Sequence, residues 1–193
     1  PAKAITPLGG IRRKMTPATK LYYAQGCAVA DGIPPVEAIP SSYLYPANTD
    51  LAENGLAASY YDNPHFQGEP VMSRIDRVVD VIWKDSTPLT GQWGDSFSVQ
   101  WCGFLVPPVS GSYMLGANGF SEYSLYLDEE LIVAYQDIHH PRQKTKEVEL
   151  EAGRFYRLRL DYISKGIDPQ IQLLWSRPDI DYKSIALAVA QKA

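Results

Sequence analysis

Two short stretches of this sequence carry the residues best suited to binding chemistry. Residues 118–122 read Asn-Gly-Phe-Ser-Glu and set one aromatic ring, Phe120, among polar side chains. Residues 135–141 read Tyr-Gln-Asp-Ile-His-His-Pro and mix a phenol with amide, carboxylate and imidazole groups. Hydroxyl-rich ligands are held by planar apolar surfaces combined with neutral and charged hydrogen-bonding groups. Both stretches are therefore predicted to be loops that face a ligand. The alternatives are a Phe120 ring packed inward as a loop anchor and a merely solvated second loop.

Metal and acid–base chemistry have weaker support in the sequence. The adjacent residues His139 and His140 suggest a metal ion, but neighbouring residues of an extended chain point in opposite directions. His65 is the only other histidine in the sequence, so we expect no zinc site. Four aspartates are predicted to be solvated at strand ends and turns: Asp76, Asp80, Asp128 and Asp161.

Composition restricts the function further. A chain of 193 residues suits one domain, or one domain with sizeable flanking pieces, and can bury a core without metal or disulfide support. The formal charge of −4 and the lack of a basic block argue against a nucleic-acid partner. No run of about 20 apolar residues predicts a membrane span. No signal peptide is predicted at the first residues, and the compartment stays open. Cys27 and Cys102 are expected to be two free, mostly buried thiols in different structural units.

The stretch from Gly55 to Trp175 has the pattern of an antiparallel sandwich or barrel. Apolar and polar residues alternate over residues 96–101, which marks a strand with one buried face. Long helices between the strands, the sign of a parallel sheet, are missing from the pattern. Strands are predicted at 56–61, 70–73, 78–83, 96–106, 112–117, 124–128, 131–135, 146–150, 155–163 and 170–175. The predicted fold is mainly β, with short α/β segments at both ends.

The two ends of the chain follow different patterns. Thr6 is predicted to cap a helix that has Pro7 in its first turn, and residues 20–24 are predicted to form a strand. Prolines are expected to keep residues 31–55 free of regular structure, as a linker. A terminal helix is predicted to start at Asp181 and to pack on the early helix–strand piece. This divides the chain into a flanking segment with its linker (1–50), a β-sandwich (51–178) and a returning helix (179–193).

The central stretch resembles the protective-antigen-type β-sandwich module. The motifs agree in order and spacing over some 120 residues. They are Gly-Leu-x-x-x-Tyr-Tyr-Asp-Asn with a Phe-x-Gly (55–68), Phe-Ser-Val-x-Trp-x-Gly (97–103), Pro-Pro-x-Ser-Gly-x-Tyr (107–113), Leu-Tyr-Leu-Asp (125–128), Glu-Ala-Gly (151–153) and Leu-Trp-x-x-Pro (174–178).

The flanks resemble the C-terminal α/β sandwich of glycoside hydrolase family 3. Residues 6–11 and 23–27 carry this resemblance, and the helix at 181–193 resembles the place where that sandwich resumes. A subset of β-glucosidases in that family has a protective-antigen-type module inserted at this point. The chain therefore resembles the insert together with its two stumps.

The resemblance implies a chain that is not a catalyst by itself. Retaining glycosidases use two carboxyl groups about 5–5.5 Å apart, and the family keeps both in parts that match no stretch of this sequence. Related adhesins hold calcium with two consecutive aspartates, and the corresponding positions here are Phe120 and Ser121. Because phenylalanine cannot ligate calcium, no metal or other cofactor is expected.

The function implied by the resemblance is to shape the outer sugar subsite and the chain-length specificity of a parent family 3 β-glucosidase. Phe120 would be the stacking platform, and the polar contacts would be Asn118, Gln136, Asp137 and His139. The expected partners are β-linked gluco-oligosaccharides or aryl glucosides and the remaining domains of the parent, with no nucleic acid and no membrane. The alternatives are a free-standing carbohydrate-binding module and a structural or oligomerisation module.

Overall fold

The computed structural model describes residues 6–24, 35–46, 52–83, 96–165 and 168–192, with all of their side chains except those of residues 138 and 139. The chain forms two compact units. One is Pro34–Asp179, and the other combines Pro1–Ile33 with Ile180–Ala193.

The larger unit is a curled antiparallel sheet that folds into a sandwich. Its strands are β1 (Glu37–Ala38), β2 (Leu44–Pro46), β3 (Leu56–Tyr61), β4 (Met72–Asp76), β5 (Asp80–Ile82), β6 (Phe97–Leu105), β7 (Gly111–Leu127), β8 (Glu130–Leu150), β9 (Tyr156–Ser164) and β10 (Gln170–Ser176). The main strand order is β1-β10-β7-β9-β6-β3-β4, with β2 on β6, β5 on β10 and β8 on β7. The prediction of a mainly β, antiparallel sandwich is confirmed.

The hairpin of β7 and β8 joins the two layers of the sandwich. The first half of β7 pairs with β10, from Met114 to Gly119, and the second half pairs with β9, from Glu122 to Leu127. β8 accompanies β7 along both halves. The sequence pattern divides each of these strands into two, because turn-forming residues such as Asn118, Gly119 and Pro141 lie inside them.

Alternating side chains build the core, as predicted. On β6, Val99 and Trp101 are fully buried, and on β9 the same holds for Leu158, Leu160 and Tyr162. Burial of each such side chain stabilises the fold by about 1.5–3 kcal/mol. The intervening residues of β9 therefore point to the outer face of the sheet.

The prediction that residues 31–55 lack regular structure was wrong within the described residues 35–46. This segment forms β1, a 3-10 helix at Ser41–Tyr43 and β2, and it buries Ile39 and Leu44 in the core. Its prolines are tolerated because Pro40 precedes the 3-10 helix and Pro46 ends a three-residue strand.

The smaller unit contains two helices, α1 (Pro7–Lys14) and α2 (Tyr182–Ala190). Both helix starts are confirmed: Thr6 Oγ1 accepts a hydrogen bond from the Gly9 amide, and Asp181 caps α2.

The strand predicted at residues 20–24 was wrong, because these residues have no regular structure and no described strand pairs with them. Neither helix buries a residue of its own, so the predicted packing of α2 is not seen within the described residues. Within the described residues, no helix is long and apolar enough to cross a bilayer.

Candidate functional site

A wide bulge in the β7–β8 hairpin surrounds Phe120. Ser121 pairs with Asp137 and Gly119 pairs with Arg142, so four residues of β8 (138–141) stand opposite Phe120 alone. The prediction of loops at residues 118–122 and 135–141 was wrong, because the first stretch belongs to β7 and the second to β8, which is paired on both sides of the bulge. Bulges bend a strand and redirect its side chains, and they are common beside binding sites.

Ser121 holds β7 in a strained conformation beside Phe120. Its φ is +82°, and its side chain is buried. A residue other than glycine at such a φ costs about 1–3 kcal/mol, which the surrounding structure must offset. Part of the offset comes from Ser121 Oγ, which accepts a 3.0 Å hydrogen bond from the Lys165 amide. Lys165 Nζ in turn lies 2.6 Å from Glu122 Oε1. These contacts fix the backbone of β7 directly after Phe120, whose side chain is half-buried.

Two tyrosines support the bulge from the core side. The Tyr123 hydroxyl donates to the carbonyl of Arg142 at 2.6 Å, and the Tyr135 hydroxyl donates to the carbonyl of His140 at 3.0 Å. Their rings lie 5.5 Å apart. Burial raises the pKa of both phenols, so both remain protonated donors at neutral pH. The bulge is therefore a preformed feature of the hairpin.

The predicted contact residues cluster along this hairpin. Phe120 and Asp137 lie at the bulge, Asn118 lies two residues before Phe120 on β7, and exposed Gln136 pairs with Glu122 two residues after it. The side chain of His139 lies outside the described part of the chain.

Asn118 is already engaged with a neighbouring strand. Its Nδ2 donates to Gln172 Oε1 at 3.0 Å, and Gln172 Nε2 donates to Asp80 Oδ1 at 2.8 Å. These two hydrogen bonds link β7, β10 and β5 on the outer face of the sheet. They hold the polar side chains of Asn118 and Gln172 in fixed positions beside Phe120.

The expectation that all four singled-out aspartates are solvated was wrong for Asp76. That carboxylate is buried and accepts hydrogen bonds from Tyr60 and Trp101. Asp161 is half-buried in the middle of β9, where it accepts a 2.9 Å hydrogen bond from Gln100 Nε2. Asp80 and Asp128 are exposed, at a strand start and in a turn, as expected.

Within the described residues, no three His, Cys, Asp or Glu side chains come together as a metal site. Cys102 is a free, half-buried thiol, and Cys27 falls outside the residues that the structure describes.

Sequence reasoning missed the support beneath the bulge. The roles of Ser121, Tyr123 and Tyr135 depend on the register of the β7–β8 hairpin and, for Ser121, on a contact with Lys165 that is 44 residues away. The nearest signal was the alternation that puts both tyrosines on the core face.

The larger unit is an antiparallel sandwich, and its sequence matches one known family of such domains. The PA14 domain model matches residues 52–187, and the chain belongs to this family. PA14 domains are in general non-catalytic.

Two of the proteins that match this chain are much longer than it is. The chain is 29% identical over 144 residues to the anti-sigma-I factor RsgI3 of Acetivibrio thermocellus, a match that covers 72% of this chain and 22% of that protein. A β-glucosidase structure from Kluyveromyces marxianus aligns with a TM-score of 0.65 and 21% identity, over 99% of this chain and 24% of the enzyme. The chain thus spans about a quarter or less of both proteins. A PA14 sugar-binding domain from an RTX adhesin aligns with a TM-score of 0.53 and 14% identity, over 66% of this chain and 92% of the adhesin domain.

Proposed function

We propose that this PA14 domain is the non-catalytic, carbohydrate-facing module of a family 3 β-glucosidase. In this proposal the bulged edge around Phe120 borders the outer sugar subsite of the parent enzyme. A rigid wall at that position rejects long chains by steric exclusion and favours short β-linked gluco-oligosaccharides or aryl glucosides.

The observation that carries the proposal is the preformed geometry at Phe120. The hydrogen bonds of Ser121, Tyr123 and Tyr135 hold the backbone of the hairpin around the half-buried Phe120 before any ligand arrives. A preorganised aromatic surface loses little conformational freedom on binding, so more of the contact energy is available for discrimination. The flanking side chains of Asn118 and Gln136 add hydrogen-bonding groups for hydroxyls. Asp137 and His139 complete the proposed contact set.

A carbohydrate ligand agrees with the relatives. The adhesin domain with the same fold is described as sugar-binding, and the Kluyveromyces enzyme is a β-glucosidase. Because both are under 25% identical to this chain, they support the ligand class through the fold alone.

The extent of the alignments favours a β-glucosidase as the parent. The Kluyveromyces structure covers 99% of this chain and so includes both helical flanks, whereas the anti-sigma relative covers 72%. Exposed apolar residues on the flanks, Ile11 on α1 and Ile185 and Leu187 on α2, suit helices that belong to a larger α/β sandwich. In this arrangement residues 1–50 and 179–193 are the stumps on either side of the inserted module.

A second candidate is a free-standing carbohydrate-binding module, and the fold shared with the sugar-binding domain of an RTX adhesin favours it. The two candidates differ in what the Phe120 edge faces. In the first it faces an active site, and in the second it faces free polysaccharide.

The test measures how a substitution of Phe120 changes the activity of the complete enzyme on oligosaccharides of different length. Phe120→Ala is expected to change the ratio of kcat/KM between cellobiose and longer cello-oligosaccharides by about 2- to 13-fold, the value of about 0.5–1.5 kcal/mol for one aromatic contact. Leu131→Ala is the matched control, because Leu131 is an exposed apolar residue at the far end of the same hairpin. The control should leave the ratio unchanged. An unchanged length profile in Phe120→Ala would contradict the proposal.

The second candidate is separated by direct titration. The chain alone is titrated with cello- and xylo-oligosaccharides, with and without calcium. Binding by the chain without any effect of Phe120→Ala on the enzyme's length profile would favour the free-standing module. A concentration-dependent mass without sugar binding would favour an oligomerisation module.

A further inference from the structure

A groove of about 370 Å³ opens on the outer face of the sheet formed by β6, β7 and β9. Its size falls in the range of small-molecule sites. Its lining residues include Gln100, Cys102, Phe104, Tyr126, Glu129, Arg157 and Arg159. Tyr126 lies six residues after Phe120 on β7, so the groove is about 20 Å along the strand from the bulge. It is therefore separate from the proposed Phe120 edge.

The groove has aromatic walls. Tyr126 forms one wall, and the guanidinium of Arg159 lies 4.0 Å from the centre of its ring. Phe104 forms the other wall and contacts Phe155, with ring centres 6.0 Å apart. Phe155 is 44% exposed and also contacts Tyr45 at 6.0 Å. An exposed aromatic rim beside a groove is the apolar half of a site for a ligand with both apolar and polar faces.

A polar network provides the other half. Gln100 donates to Asp161 at 2.9 Å, and Arg159 Nε lies 3.3 Å from the second oxygen of the same carboxylate. That Nε is buried and has no hydrogen-bond partner of acceptable geometry. The charge of Asp161 stabilises this group, and the polar side chains that line the groove beside it are Gln100, Glu129 and Arg157.

The charge balance selects the class of ligand. Arg157 lies 3.3 Å from Glu129, and Arg159 is paired with Asp161. Two cations and two carboxylates leave the groove with no net charge to attract an anion. Amide, guanidinium and carboxylate groups next to aromatic rings instead match a neutral ligand that has several hydroxyl groups.

We propose that this groove is a second saccharide site, which binds a neutral mono- or disaccharide. The ring face of the sugar packs on Phe104, beside Tyr126, and its hydroxyls accept from the guanidinium of Arg157 and donate to Glu129. The inference goes beyond the proposed function, because it requires neither a parent active site nor the Phe120 edge.

The experiment is an NMR titration of the chain with cellobiose and, separately, with glucuronate. Cellobiose is expected to shift the amide signals of Gln100, Tyr126 and Arg159. Phe104→Ala removes one aromatic wall and should weaken binding by about 2- to 13-fold. Val71→Ala, at an exposed apolar position just before β4, is the matched control and should leave the affinity of the groove unchanged. Thermal melting of each variant shows whether the fold is retained.

Cys102 gives a second readout that needs no substitution. Its half-buried thiol lines the groove, so bound cellobiose should slow its alkylation, measured on the Cys102 peptide by mass spectrometry. Shifts confined to the bulge, or no protection of Cys102 at saturating cellobiose, would overturn the inference while leaving the Phe120 proposal intact. Tighter binding of glucuronate than of cellobiose would also overturn it, since the site would then be selective for an anion.

Discussion

Tyr60 donates a 2.5 Å hydrogen bond to Oδ2 of Asp76, a carboxylate that is only 8% exposed. Trp101 Nε1 donates to the same oxygen at 2.8 Å, and Arg74 Nε lies 2.6 Å from Oδ1. The carboxylate thus joins β3, β4 and β6 at one buried point. Burial, reinforced by the hydrogen bond to Asp76, raises the pKa of Tyr60 and keeps the phenol protonated.

Removal of this carboxylate is predicted to be severely destabilising. Asp76→Ala leaves the buried donors of Tyr60 and Trp101 without an acceptor and the Arg74 guanidinium without its partner. Loss of one partner from such a buried charged network costs about 3–5 kcal/mol. Urea unfolding followed by tryptophan fluorescence measures the loss. Glu69→Ala, at an exposed position in the turn before β4, is the control and should change stability by less than about 0.5 kcal/mol. A similar small effect for both variants would show that Asp76 does not hold the three strands together.

A second prediction concerns the close approach of β7 and β8 at Gly116. A methyl group at this position would collide with the carbonyl oxygen of Lys144 and lie 2.7 Å from Thr145 Cα. Backbone atoms cannot move away without opening the hairpin, so Gly116→Ala should destabilise the fold by about 2 kcal/mol or more. Gly153 is the matched control: its φ is +73°, but no atom lies within 4 Å of the added methyl. Gly153→Ala should therefore cost only the backbone strain, about 1 kcal/mol. Equal effects in thermal unfolding would contradict the assignment of the Gly116 cost to steric contact.

The pattern of alternation was sufficient to predict the sandwich and most of its strands. Residues 97–101 on β6 and 158–162 on β9 alternate clearly, because one face of each strand is buried over its whole length. The prediction failed for the two longest strands. β7 and β8 were each predicted as two strands, because turn-forming residues such as Asn118, Gly119 and Pro141 lie inside them without ending the strand.

The residues of the candidate site lie together on one hairpin, but the strand structure of that segment was not predicted. Phe120, Asn118 and Gln136 were chosen from residue type, and the structure places all three along one hairpin. The support for this edge depends on contacts over long sequence separations, such as the hydrogen bond between Lys165 and Ser121. Burial of Asp76 escaped prediction for the same reason, since its partners Tyr60 and Trp101 lie on other strands. No local rule distinguishes such a residue from a solvated aspartate at a strand end.

A third prediction tests whether Ser121 stores strain at the bulge. Ser121→Ala removes the acceptor for the Lys165 amide and keeps a Cβ at φ +82°, so it should destabilise by about 1–2 kcal/mol. Ser121→Gly removes the same acceptor but adopts this φ without steric cost. The glycine variant is therefore expected to be more stable than the alanine variant by about 1 kcal/mol in urea unfolding. If the alanine variant were as stable as the glycine variant, the backbone at Ser121 would not be strained.

The last prediction uses the opposite pKa shifts of two aspartates. Burial raises the pKa of Asp161 above its ordinary 3.8, although the hydrogen bond from Gln100 and the charge of Arg159 partly oppose the shift. The folded state therefore holds this proton more tightly than the unfolded state, and the contribution of Asp161 to stability falls as the pH rises through the window from about 3.8 to the raised pKa. Asp161→Asn keeps an acceptor for Gln100 and removes the ionisation. Its stability relative to the unsubstituted protein should consequently increase between pH 3.5 and pH 7.

Asp179 supplies the control of opposite sign. Its hydrogen-bonded ion pair with Arg177 holds the pKa of that carboxyl below its ordinary 3.8. The stability that it contributes is present above that value and is lost as the pH falls through the lowered pKa. Asp179→Asn should therefore become less stable, relative to the unsubstituted protein, as the pH rises from the lowered pKa to about 3.8 and beyond. Urea unfolding of the three proteins at several pH values between 3 and 7 measures both trends. Parallel changes in the two variants would contradict the assignment, because burial of Asp161 and pairing of Asp179 must act in opposite directions.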